Sequence, residues 1–299
     1  MVDPLLDRFL EAAALERGLS EQTLGAYCRD LRQASDWLSR ENGKELSSAG
    51  PDDVSAYVYH LSKSGYAPSS VKRKLSAMRS FYSYLVEEGL LEADPSLLVS
   101  SPRGVKGLPQ TLSPGEVKAL IEVWDGSTPL SVRNRALLEL AYGAGLRESE
   151  LVNITVDRVF LEELYVRPLG KGSKERLVPI GGMAARWLRR YIEEARPILV
   201  GQRRVSNLFI TCRGRPLSRM TVWNVVRESG RRAGLGKPVH PHVLRHSFAT
   251  HLLEGGADLR VVQELLGHSD IRTTEIYTNV DRTYLTEVLK SFHPRARSC

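Results

Sequence analysis

Six side chains between residues 147 and 277 could do chemistry together: Arg147, Lys171, His242, Arg245, His268 and Tyr277. An arginine guanidinium stays protonated, with a pKa of about 12.5 or more, and its planar fork matches the oxygens of a phosphate. A phenol is a nucleophile once a neighbouring base relieves it of its proton. Five donors and one nucleophile suit an attack on a phosphoester. Each residue alone has a plainer account. An arginine at a helix start pairs with a surface acid, a lysine at a turn tip is solvated, and a helical tyrosine packs in a core. Their joint occurrence in one basic stretch is what favours chemistry.

Competing motifs fall away on spacing. Gly143-Ala144-Gly145 lacks the third glycine of a dinucleotide fingerprint and follows a helical run rather than a strand. Gly170-Lys171-Gly172-Ser173 lacks the Ser or Thr that a phosphate loop needs directly after Gly-Lys. His242 and His246 could share a helix face, but Val243 stands where the zinc-protease motif needs Glu, and no cysteine is close. The expectation is no metal and no cofactor.

The elements that must position the six residues read as mostly helical. Pro241 opens a helix to Leu253, ended by Gly255-Gly256. Its apolar stripe is Leu244, Phe248 and Leu252, while His242 and Arg245, three apart, can point together. Arg147 stands at the Gly143–Gly145 break after a helix over about 131–142, beside the start of a helix whose free amides also favour anions. A second helix start is signalled by Ser113-Pro114-Gly115-Glu116. Lys171 sits at the tip of a hairpin expected between Leu164–Val166 and Arg176–Ile180, with Pro168 placing the first strand at an edge. His268 follows the helix-ending Gly267.

Upstream, residues 1–95 read as four helices, carried by Leu5 to Ala13, Leu24 to Trp37, Val54 to Leu61, and Leu75 to Leu85. Ser20 and Ser69-Ser70 are expected caps, and Asp94-Pro95 closes the last helix. Residues 98–112, with Ser, Pro and Gly and two positive charges, Arg103 and Lys106, have linker composition. The expected chain is mainly α with a small antiparallel β-sheet. It comprises a domain over 1–97, a linker over 98–112 and a larger domain over 113–299.

Charge divides along the same line. Residues 1–103 hold 12 basic and 15 acidic residues, and the remainder holds 30 and 20, which concentrates the overall net charge of +7 in the second part. A basic domain suits a polyanion, most simply nucleic acid. Lys72-Arg73-Lys74 adds a local basic cluster to the first part. No apolar run approaches the roughly 20 residues of a membrane span, and the N-terminus lacks the basic region of a secretory signal. Cys28, Cys212 and Cys299, odd in number and far apart, suit a reducing cytoplasm.

At these residues the sequence resembles the tyrosine site-specific recombinases, in particular the bacterial Xer recombinases and their XerD branch. The strings that carry the likeness are Tyr142-Gly143-Ala144-Gly145-Leu146-Arg147-Glu148-Ser149-Glu150-Leu151 and Gly170-Lys171-Gly172-Ser173-Lys174-Glu175-Arg176-Leu177-Val178-Pro179. His242-Val243-Leu244-Arg245-His246, Leu265-Leu266-Gly267-His268 and Thr273-Thr274-Glu275-Ile276-Tyr277-Thr278 complete it. It extends over nearly the whole chain, through His293-Pro294-Arg295-Ala296. Glu148 and Arg167-Pro168 depart from the family's usual pattern, and the resemblance does not explain the Arg297-Ser298-Cys299 extension.

The resemblance implies a SAM-like four-helix core-binding domain and a mostly helical catalytic domain that close around duplex DNA as a clamp. It implies that Arg147, Lys171, His242, Arg245 and His268 form the catalytic pocket, that Glu150 supports it, and that Tyr277 is the nucleophile of a 3′-phosphotyrosyl intermediate. Lys171 is then the candidate acid for the leaving 5′-oxygen and His242 the candidate base. Lys72, Arg73, Lys74 and Arg219 are candidate DNA contacts. Partners implied by the family are double-stranded DNA at a dif-like site, a tetramer with a XerC-like recombinase, a C-terminal helix docked on a neighbouring subunit, and regulation by the FtsK translocase. The setting implied is the cytoplasm, at the nucleoid, in chromosome segregation. A mobile-element integrase, a DNA-binding protein without catalysis and a metal-dependent nuclease are the alternatives.

Overall fold

The structure, a computed structural model, describes residues 4–15, 19, 21–101, 110–170, 175–267 and 279–296. The chain divides into two compact units, Met1–Leu108 and Pro109–Cys299.

The first unit is built from four helices, α1 (Pro4–Leu15), α2 (Glu21–Asn42), α3 (Pro51–Lys63) and α4 (Pro68–Glu87). Phe9, Leu31, Leu38, Val54, Tyr57, Leu75 and Phe81 recur at helical spacing and form its buried core. α3 starts on Pro51, and Asp53 accepts a hydrogen bond from the Gly50 amide at 2.9 Å. The same carboxylate takes Lys44 at 2.7 Å, and with these bonds its pKa lies below the ordinary range. Two sequence expectations shift. α4 is not capped by Ser69-Ser70; Pro68 takes its first position and Ala67 its cap, because proline's fixed φ suits that turn. Nor does it run to Asp94-Pro95; it ends at Glu87, and Gly89 turns the chain with φ +69°.

The expected linker also overlaps both units. Val99 is buried in the first core, with its carbonyl accepting from Arg79 at 2.7 Å. Leu112 is buried in the second core, and its amide donates to Ser247 at 2.9 Å. Apolar residues at the two ends of a Ser/Pro/Gly segment pack with their own domains, so composition alone overstates the linker's length. Residues 102–109 lie outside the described part.

The second unit contains α5 (Pro114–Glu122), α6 (Pro129–Gly143), α7 (Glu148–Asn153), α8 (Gly182–Arg190), α9 (Arg196–Val200), α10 (Arg219–Arg232), α11 (Pro241–Glu254), α12 (Leu259–Leu266) and α13 (Asn279–Phe292). A π-turn, Tyr191–Ala195, joins α8 to α9. Capping chemistry fixes several starts. Ser113 and Glu116 form a reciprocal capping box at α5, and Thr128 accepts from the Ser131 amide at α6. α6 is buried on nearly every side, with Leu137, Leu138, Leu140 and Tyr142 in the main core. It is the post against which α8 and α11 pack.

A three-stranded antiparallel sheet runs β1 (Val159–Phe160), β2 (Tyr165–Val166), β3 (Val178–Pro179) in that order. The expected edge strand is therefore the central one. Pro168 lies beyond the paired residues of β2, so its missing N–H breaks no ladder bond, and β1, absent from the sequence reading, covers the free side. α13 packs on its own domain: Leu285, Val288 and Leu289 are buried in the main core. No helix among the described residues is long and apolar enough to cross a membrane.

Candidate active site

Arg147 is the N-cap of α7, in the loop that follows α6. Its amide donates to Glu150 at 2.8 Å and its guanidinium donates to the same carboxylate at 3.0 Å. A further bond, 2.8 Å, runs from the Arg147 guanidinium to the Gly267 carbonyl. Arg245, one turn into α11, donates to the carbonyls of Gly145 at 2.6 Å and Leu266 at 2.7 Å. Three backbone carbonyls from two loops thus hold two arginines without neutralising them. A guanidinium has five N–H donors, so these bonds orient each fork and leave donors over for a ligand.

Two glycines make those loops possible. Gly145 has φ +56°, and a Cβ there would lie 2.4 Å from the Phe248 ring. Gly267 ends α12 in the left-handed conformation at φ +66°, and a Cβ would meet the Arg176 side chain at 3.0 Å. Only glycine combines that backbone with that close approach.

Beneath the pair lies Glu150, 1% exposed at its side chain. Arg176 clamps it with bonds of 2.6 and 2.9 Å and reaches back to the Leu265 carbonyl at 3.3 Å. Burial pushes the Glu150 carboxyl up, but the Arg176 bonds, with the Arg147 amide and charge, outweigh it and hold the pKa below the ordinary value. Burial and the neighbouring Arg147 push Arg245 down to about 10, which leaves it cationic at neutral pH. Three arginines face one carboxylate here, so the site carries an excess of fixed positive charge.

The excess opens onto a cleft of about 250 Å³ lined by Leu146, Arg147, Glu148, Ser149, Arg219, Pro241, His242 and Arg245. His242 is exposed at the first turn of α11, and Arg219 is the exposed first residue of α10, whose cap is Ser218. Four residues singled out from the sequence therefore line one cleft: Arg147, Arg219, His242 and Arg245. Lys171, His268 and Tyr277 lie outside the described residues. Among the described residues no three His, Cys, Asp or Glu side chains converge as metal ligands.

The basic cluster of the first unit needs correction. Lys74 is buried, not presented to a groove: its ammonium donates to Asp30 at 2.8 Å and to Gln33 at 2.6 Å. Arg73, more exposed, pairs with the same Asp30. α4 turns about 100° per residue, so three consecutive cations cannot share one face, and the third faces α2. Lys72 is exposed.

Arg176 was missed as a site residue because it heads an apolar strand run. The signal was there: Arg176, Val178 and Ile180 share strand parity, and all three are buried. Also missed was the support behind α11, where Tyr142 Oη lies 2.8 Å from His251 Nδ1.

Residues 110–283 match the phage integrase family, and residues 6–89 match the SAM-like domain found at the N-terminus of phage integrases. The tyrosine recombinase XerD of Pseudomonas aeruginosa is 45% identical over 292 residues, 98% of either chain. XerD of Staphylococcus aureus is 40% identical over 99% of this chain and 100% of its own. Among solved structures, the XerA recombinase aligns at 26% identity over 98% of this chain and 95% of its own, with a TM-score of 0.51. The XerH recombinase bound to a palindromic difH substrate shares the fold, with a TM-score of 0.69 at 23% identity over 95% and 83% of the two chains. The tethered arginine pair stands in a chain of that ancestry over nearly its whole length, and the chain belongs to the phage integrase family, the tyrosine recombinases, enzymes that cut and rejoin DNA.

Proposed function

We propose that this recombinase exchanges strands at a dif-like site through a covalent 3′-phosphotyrosine, resolving chromosome dimers during segregation. The observation that carries the reading is the placement of Arg147 and Arg245 by backbone carbonyls at one cleft beside His242. Such a pair supplies preorganised charge where a phosphoryl transition state gains it, and losing one donor of this kind costs on the order of a hundredfold in rate.

In the reaction, Tyr277 Oη attacks the scissile phosphorus and its proton passes to His242. The 5′-oxygen leaves and takes a proton from Lys171. Arg147, Arg245 and His268 hold the non-bridging oxygens. The phosphodiester becomes a phosphotyrosyl ester of similar energy, so no nucleotide is consumed. A 5′-hydroxyl of a partner duplex then attacks that ester by the same steps in reverse. Arg219 and Lys72 contact the DNA, while Arg73, already paired with Asp30, contributes secondarily. Four subunits, this chain with a XerC-like partner, form the synapse. By the same likeness the protein works at the nucleoid under an FtsK-type translocase, without metal or cofactor.

The test is covalent trapping on a nicked dif-like duplex, whose released fragment prevents religation. Wild type should form a protein–DNA adduct at the same rate in EDTA, and Tyr277→Phe none. An equal adduct with Tyr277→Phe would refute the nucleophile, and loss in EDTA would refute metal independence.

A further inference from the structure

The net charge of the chain gathers in one stretch. Residues 196–227 hold seven arginines and no lysine, aspartate or glutamate. The chain has 42 basic residues, so the other 35 match its 35 acidic ones, and this stretch alone accounts for the net charge of +7. Three of the seven are occupied. Arg196 donates to the carbonyls of Val205, Asn207 and Leu208, Arg219 lines the cleft, and Arg227 lies over the Trp223 ring. The other four, Arg203, Arg204, Arg213 and Arg215, are exposed and make no ion pair among the described residues. Elsewhere in the unit surface arginines meet acids: Arg189 pairs with Glu162, Arg190 with Glu194, and Arg231 and Arg232 share Glu228.

Two loops packed together bring these cations to one place. Ile210 bridges to Pro216 across a tight turn, and the Thr211 amide donates to the Arg215 carbonyl at 2.7 Å. The Arg213 and Arg215 amides donate to Thr211 Oγ1 at 3.3 and 3.1 Å. Gly214, at φ +65°, lets the neighbouring loop close on the turn: an added Cβ would lie 3.0 Å from the Leu199 carbonyl and 3.1 Å from Arg203 Cδ. The base is fixed from below, where Tyr191 donates to the Leu208 carbonyl at 3.0 Å and Arg133 to the Ile210 carbonyl at 3.1 Å. Like charges held together without a counter-anion repel in the free protein, so this rigid surface suits an anion from outside.

We propose that the turn bearing Arg213 and Arg215, with the loop bearing Arg203 and Arg204, is a second phosphate-binding surface outside the cleavage cleft, which grips the backbone of duplex DNA without reading its sequence. The inference rests on the reading of the cleft as the DNA site and extends it. Guanidinium groups pair with phosphate oxygens through two parallel hydrogen bonds. Arg213 is six residues from Arg219 in the chain, which sets the turn at most about 21 Å from the edge of the cleft. A duplex carries one charge per roughly 1.7 Å of its axis, so DNA seated in the cleft offers further phosphates within that reach. Contacts of this kind hold a duplex in register and carry no sequence information.

The experiment titrates the full chain with a fluorescent random-sequence duplex, by anisotropy across a salt series. Arg213→Gln/Arg215→Gln should bind roughly tenfold or more weakly at about 0.1 M salt, with the log–log salt slope shallower by about 1.8, two lost phosphate contacts. Arg213→Lys/Arg215→Lys should keep the slope within about 0.4 of wild type, because an ammonium still displaces a counterion. Arg231→Gln/Arg232→Gln removes two charges of the same unit that already face Glu228, and should shift the slope by less than about 0.4. Equal shifts in the two glutamine pairs would reduce the effect to net charge and overturn the proposal. So would an unchanged slope in Arg213→Gln/Arg215→Gln, which would leave the surface to an acidic protein. If that variant does not fold, Arg203→Gln/Arg204→Gln on the adjoining loop gives the same readout. A wild type that binds duplex but forms no adduct through Tyr277 refutes the recombinase reading and not this surface. A wild type that forms the adduct, beside an unchanged slope in the variants, removes this inference alone, and one that binds no duplex removes both.

Discussion

Arg176 and Glu150 meet through two parallel hydrogen bonds of 2.6 and 2.9 Å, with both side chains almost fully buried. The pair sits under the cleft rather than in it. Glu150 reaches on to Arg147, and Arg176 reaches on to the Leu265 carbonyl in the last turn of α12, so one ion pair ties α7, the strand region and α12 to the same point. Taking such charges out of water costs several kcal/mol, which the fork geometry and the added bonds offset. What the arrangement fixes is orientation.

Replacing Arg176 with Lys should therefore cost activity more than charge loss explains. A lysine keeps the positive charge but cannot hold both Glu150 oxygens and a carbonyl at once. Single-turnover adduct formation on a nicked duplex should fall at least tenfold while DNA affinity changes by less than threefold. Arg176→Ala, which leaves Glu150 short of its main partner, should in addition lose about 3–5 kcal/mol of stability in denaturant unfolding. Unchanged adduct rates in Arg176→Lys would show the pair to be structural only.

Gly145 gives a second handle on the same arginines. Its backbone is left-handed and its carbonyl receives Arg245. Alanine there adds strain and pushes against Phe248, so Gly145→Ala should lose about 2–4 kcal/mol and several degrees in melting temperature. Gly182→Ala is the control. Gly182 opens α8 with nothing within 4 Å of an added Cβ, and the change should leave stability equal or slightly higher.

Acid sensitivity should trace in part to His293. It is 1% exposed, packed against Tyr142 and Phe248, and its Nε2 has no hydrogen-bond partner among the described residues. Burial pushes its pKa down to about 3. The folded state thus stays neutral while the unfolded chain takes up a proton near pH 6.5. The unfolded state binds more protons between those values, so stability is full above about pH 6.5 and falls as pH drops toward 3. From pH 7 to 5.5 the loss from this group is about 1 kcal/mol. Denaturant unfolding at the two pH values should show a smaller difference in His293→Gln than in wild type.

Much of this organisation was legible in the chain. Helix starts at Pro114 and Pro241 announced themselves because proline and its caps act locally, and Arg147, His242 and Arg245 stood out through motif spacing. The errors have a common cause. Arg176 and Lys74 are long cations that look like surface residues, and only tertiary partners, Glu150 and Asp30, say otherwise. β1 is two residues long, too short for any alternation to register.

Lys72 and Lys74 make the sharpest comparison, since they are two residues apart on one helix and differ in what surrounds them. Lys74 compensates Asp30, which is 3% exposed, together with Arg73. Removing Lys74 leaves a buried carboxylate with a single, more exposed cation, so Lys74→Met should lower unfolding free energy by roughly 2–4 kcal/mol. Met fills much of the same volume, which confines the loss to the charge. Lys72→Met removes an exposed cation and should leave stability within about 0.5 kcal/mol. DNA affinity should respond in the opposite pattern: Lys72→Met weakens binding and lowers the salt slope by about 0.9, the mark of one lost phosphate contact. Equal stability losses in the two variants would contradict the burial of Lys74, and an unchanged salt slope in Lys72→Met would remove that residue from the DNA contact.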